Sequence, residues 1–142
     1  MRLVLDTNTA ISGLLWHGLP GKLIDAAQAR RVELYTSAPL LAELQGVLAR
    51  EKFAKQLKAR SLSGERVLEG YAAIASIVMP AVIAPTVSRD PADDLVLATA
   101  LAAGADAIVS GDAHLLNLKA FHRIPIITAA EAVNRIAQSS PS

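Results

Sequence analysis

Four short apolar runs, "RLVL" (2–5), "VELYTS" (32–37), "AIVS" (107–110) and "IPII" (124–127), are set apart by longer stretches with helical spacing. This alternation limits the fold more than any other feature of the chain. Strands separated by helices lie side by side in one direction, because the helix carries the chain back across the sheet. The expectation is an α/β architecture in three layers, with a central parallel sheet of about five strands between helices. Apolar residues make up 52% of the 142 positions and aromatics only 4%, so the core must be Leu, Ile, Val and Ala. Buried parallel strands favour that composition. A single domain over residues 1–138 is expected, with residues 139–142, "SSPS", as a frayed tail.

Between the strands, residues 18–30 carry Leu23, Ile24 and Ala27 at helical spacing behind Pro20. Residues 37–53 form a second helical stretch, with Ser37 as N-cap, Pro39 in the first turn, and Leu41, Leu44 and Leu48 on one face. A further helix covers Phe53 and Leu57, and another spans Gly64 to Ala75. "IVMPAVIAPTV" (77–87), interrupted by Pro80 and Pro85, reads as a strand plus loop. "PADDLVLATALAAG" (91–104) is a helix opened by Pro91 and stopped by Gly104, and residues 129–138 form the closing helix. No apolar run approaches the roughly 20 residues that span a bilayer. The N-terminus does not read as a signal peptide, and cysteine is absent, which together lead to the expectation of a cytoplasmic protein.

The acids are distributed unevenly. Asp6 closes the first strand, ahead of the small polar residues Thr7, Asn8 and Thr9, and Asp112 follows "AIVS". Asp93 and Asp94 open a helix, and Glu43 lies one turn into the helix after the second strand. In a parallel α/β sheet, strand ends and the following helix starts share one rim, where binding sites form. Taken singly, each acid has a structural reading, as a dipole partner, a cap or a solvated position. Brought together they repel, by about 4 kcal/mol for two charges 4 Å apart at an effective dielectric of 20. A divalent cation is the simple remedy, with Arg2 and Arg89 the only bases nearby in sequence. With oxygen ligands alone, Mg²⁺ or Mn²⁺ is the expected ion, and Mg²⁺ in such sites often engages a phosphate as well. His17, His114 and His122 have no metal-ligand spacing, and neither phosphate-loop glycine pattern occurs. A separate basic segment, "REKFAKQLKARSLSGER" (50–66), offers Arg50, Lys52, Lys55 and Lys58 to a polyanion, or to water as an ordinary solvated face.

"LDTN", "LLAEL", "RDPADDLVLATALAAGADAIVSGDAHLL" and "IITAAEAV", in this order and spacing, resemble the PIN-domain nucleases. The likeness is greatest to the bacterial and archaeal toxins of toxin–antitoxin pairs, the VapC type. The resemblance implies a flavodoxin-like arrangement of a five-stranded parallel sheet and a metal-dependent ribonuclease acting on single-stranded RNA. It also implies a cognate antitoxin and a homodimer. Carried over by position, the catalytic and metal-binding acids fall on Asp6, Glu43, Asp93 and Asp112. Helical periodicity does not separate Asp93 from Asp94, but aligning the "ATA" motif favours Asp93. Asn8, Asp90, Asp94 and Ser110 fall on supporting positions. The alternatives are a non-catalytic PIN-fold RNA-binding or scaffold module and a Mg-dependent phosphatase. The latter would need an Asp where this chain has Asn8.

Overall fold

The computed structural model describes residues 1–86 and 91–139. Its first strand, β1 (Arg2–Leu5), lies inside the sheet, between β2 (Glu33–Thr36) and β4 (Ala107–Val109). The sheet is completed by β3 (Ala75–Ile77), β5 (Ala120–Phe121) and β6 (Ile124–Ile127), in the order β3-β2-β1-β4-β6-β5. All neighbouring pairs are parallel except β5–β6. Val4 stands opposite Tyr35 on one side and Ile108 on the other. The parallel core was expected. The two-residue β5 is an addition, closing a short hairpin at the sheet edge that leaves too little apolar sequence to be read as a strand.

Strand side chains alternate between the faces, so one sheet organises two cores. Leu3, Leu5, Leu34, Ala107 and Val109 pack on one side with α1 (Thr7–Leu15), α2 (Gly18–Gln28), α3 (Ala38–Leu48) and α8 (Ala129–Ser139). Val4 and Ile108 pack on the other with Val96, Leu97 and Ala100 of α6 (Pro91–Ala103). The remaining helices are α4 (Glu51–Ala59), α5 (Gly64–Ile74) and the single turn α7 (Ala113–Leu116).

Several boundaries differ from the sequence reading. Helix α1 was not anticipated at all. The stretch expected as one helix from 37 to 53 stops at Leu48 and restarts at Glu51, with Arg50 in extended backbone (ψ 143°) between them. Of the run 77–87, only Ile77 belongs to a strand, and the described residues beyond it carry no regular structure. Pro80 has no N–H to give to a ladder, so pairing cannot continue through it. Gly104 ends α6 as expected, at φ +59°, while Ala105 N–H reaches back to the Ala100 carbonyl at 3.0 Å. Ser139 belongs to α8; the rest of the expected tail lies outside the described residues. Among the described residues, no helix is long and apolar enough to cross a membrane.

Candidate active site

At the carboxyl end of β1 the chain turns directly into α1, and Asp6 is the junction. Its backbone N–H donates to the Val109 carbonyl at 3.0 Å, which joins it to β4. Its side chain is the N-cap of α1: Oδ1 accepts from the Thr9 N–H at 2.8 Å. Oδ2 accepts from the Ser110 hydroxyl. The Ser110 oxygen in turn accepts from the Asp112 N–H at 2.9 Å, so one hydroxyl links the first acid to the turn that carries the last. Asp6 is 5% exposed and Ser110 1%. Asp112 caps α7 by accepting from the His114 N–H at 2.8 Å.

Two helices supply the other acids. Ser37 caps α3, and its Oγ lies 2.9 Å from the Thr99 hydroxyl of α6, both side chains fully buried. This pair ties the start of α3 to α6, and so ties the helix bearing Glu43 to the helix bearing Asp93. Glu43 is half-buried, with its Oε2 inaccessible to solvent; Asp93 is 7% exposed, with its Oδ2 likewise inaccessible. The result is a cleft of about 50 Å³ lined by Asp6, Thr7, Asn8, Glu43, Ala92, Asp93, Val96 and Asp112. Four acids from four parts of the chain share it with Asn8, and no basic side chain is among the residues lining it.

The remaining candidates are placed differently. Asp94 turns away: both of its carboxylate oxygens accept from the Thr86 N–H at 3.2 Å, which holds the preceding loop against α6. Asp90 and Arg89 lie outside the described residues. Arg2 is at the amino end of β1, away from the carboxyl-end rim, 3.6 Å from Glu33 and donating to the Ala103 carbonyl. Arg50, Lys52, Lys55 and Lys58 are exposed and line no part of the acidic cleft. Lys52 lies over the Phe53 ring and Lys55 pairs with Glu51 at 3.3 Å, local contacts of a solvated face. His17 pairs with Asp25 at 2.7 Å, and His122 meets the Phe121 ring edge.

The sequence reading overlooked several contributors. Thr7 and Val96 line the cleft. Thr99 had a signal, a lone hydroxyl within the apolar run "LVLATALAA". Tyr71, fully buried on α5, has its phenol pushed up from its ordinary range by burial first and by the Asp6 charge second. Nothing in "EGYAAI" indicates that this ring lies within the field of the first acid.

The donor set is all oxygen, which suits Mg²⁺ or Mn²⁺ and suits softer metals poorly. The cleft has room for an ion with a few waters, given that one water needs roughly 10–15 Å³ of such space. Among the described residues, no three His, Cys, Asp or Glu side chains are placed so that together they could hold a metal ion directly. An ion that keeps part of its water shell does not require such a set.

A family model described as the PIN domain matches residues 2–114. No curated protein sequence matches the chain. Among solved structures, the chain is similar to one in the crystal structure of VapBC2 from Rickettsia felis bound to a DNA fragment from their promoter. The two share 17% sequence identity with a TM-score of 0.59, over 90% of this chain and 98% of that one. At this identity the likeness is one of fold.

Proposed function

The chain belongs to the PIN-domain family, and on that premise we propose that it is a Mg²⁺- or Mn²⁺-dependent ribonuclease cleaving single-stranded RNA. The observation that carries the reading is the shared cleft of Asp6, Glu43, Asp93 and Asp112. A divalent ion, when bound, neutralises developing charge on a phosphodiester and makes a water a better nucleophile. Asp6 is held for such a role from two sides, by the Thr9 N–H and the Ser110 hydroxyl, so its oxygens keep their direction without further ordering. Asp112 is fixed by its own cap and by Ser110. Asp93 and Glu43 bring the remaining carboxylate oxygens, one of the four being the acceptor for the water's proton. No covalent intermediate is needed.

The fold likeness to a VapBC2 chain supports a further assignment, the toxin of a toxin–antitoxin pair with its own antitoxin partner. We place the protein in the cytoplasm as a homodimer, and assign Arg50, Lys52, Lys55 and Lys58 to steering the RNA backbone. A non-catalytic PIN-fold RNA-binding module is the second reading. It is favoured by the absence, among the described residues, of a ready-formed cage for a metal.

Cleavage of a single-stranded oligoribonucleotide separates the two. Wild type with millimolar Mg²⁺ or Mn²⁺ should cut it, and chelator should stop the reaction. Asp6→Asn should abolish cutting while staying folded, because Asn caps a helix about as well as Asp. Cutting that persists in chelator would remove the metal mechanism, and a folded wild type that binds RNA without cutting it would leave the module reading.

A further inference from the structure

Beside the acidic cleft lies a second, larger one of about 340 Å³, lined in part by Asn8, Ser12, Ser110, Gly111 and Thr128. The two clefts share Asn8 and Asp112, so they meet along one wall. Their chemistry differs. Apart from Asp112 at the junction, the larger cleft is lined by amide, hydroxyl and apolar groups and carries no charge. We infer that it seats the nucleotide next to the scissile phosphate, with Asn8, Ser12 and Thr128 facing its sugar and base.

This inference rests on the nuclease reading and adds to it where the strand runs. A polynucleotide strand held at four carboxylates must leave them quickly, because every further phosphate near them is repelled. The neighbouring cleft offers an uncharged path directly off the reacting position. Its volume is at the lower end of the roughly 300–1,000 Å³ typical of small-ligand pockets, which suits one nucleotide and excludes a duplex. Hydroxyl and amide groups can each donate and accept, as the ribose 2′-hydroxyl and base edges require. Gly111 is exposed, and a Cβ built on it would meet no atom within 4 Å outside its two chain neighbours, so a side chain there meets open space.

Two variants enlarge side chains that line the cleft from different elements. Gly111→Leu projects from the β4–α7 turn, and Ser12→Gln projects from α1, where a straight-chain residue suits the helix. Each is compared with wild type on a single-stranded oligoribonucleotide and on bis(4-nitrophenyl) phosphate, a phosphodiester with no nucleotide to seat. Loss of one seated nucleotide should lower kcat/KM on RNA by at least about tenfold more than on the small diester, mainly through KM. An equal loss on both substrates, or no loss on either, overturns the seat while the nuclease reading stands. A wild type that hydrolyses neither substrate overturns the nuclease reading and the seat with it. Because the two substitutions come from different elements, misfolding of one, seen as a collapsed Tm, leaves the other to decide.

Discussion

Asp93 and Asp94 are adjacent on one helix and point roughly 100° apart, so a single cleft can take only one of them directly. The buried Asp93 lines the acidic cleft, whereas Asp94 is occupied by the Thr86 N–H. Asp93→Asn should therefore lose nearly all RNA cleavage, while Asp94→Asn keeps most of it. Asp94→Asn should cost at most about 1 kcal/mol, because an amide oxygen still accepts from Thr86 while the charge at the helix start is lost. Cleavage rates at saturating Mg²⁺ for the two folded variants check this, and a dead Asp94→Asn would shift the assignment by one residue. At this scale the acids were readable because each follows a strand, opens a helix or lies a turn into one, and topology brings those positions toward one rim. Of their supports, Ser110 was named by position but others were not. The hydroxyl pair Ser37–Thr99 and the approach of Tyr71 to Asp6 join residues far apart in the chain, and no local pattern encodes such pairs.

Helix α1 shows why an element can be missed. "TNTAISGLL" is rich in Thr, Asn, Ser and Gly, which are indifferent or poor helix formers. What makes it helical is a cap before it and tertiary packing along it. Gly13 is the clearest trace of that packing: a Cβ there would fall 2.9 Å from the Pro20 carbonyl oxygen and 3.1 Å from Ile24 Cγ1. Gly13→Ala thus sets two effects against each other. Helix propensity favours Ala by up to about 1 kcal/mol, but backbone cannot rotate away from the new methyl, and such overpacking costs about 1–3 kcal/mol. The net expectation is a loss of about 1–2 kcal/mol. Urea unfolding checks the sign, and a stabilised variant would mean that α2 yields at Pro20. The better-signalled elements were those with chemistry at their ends, such as α3 with Ser37 and α6 with Gly104.

For the molecule as a whole, the gathering of like charge predicts that metal and folding are linked. An ion that binds only the assembled cleft, supplied at ten times its Kd, should add about 1.4 kcal/mol and raise Tm by roughly 5 °C. Calorimetry with Mg²⁺ against chelator measures the shift, which Asp6→Asn should largely remove. No shift in wild type at millimolar Mg²⁺ or Mn²⁺ would count against the metal site. The parallel sheet was legible at this scale from alternation alone, whereas the edge hairpin of β5 was not, its two residues being too few to carry a period. The Ser110–Asp6 bond spans 104 residues of sequence. At a synthesis rate of roughly 5–20 residues per second, Asp6 leaves the peptidyl transferase centre on the order of 5–20 s before its partner exists. On the nuclease reading proposed above, the first acid therefore lacks its hydroxyl support until residue 110 has been added to the growing chain.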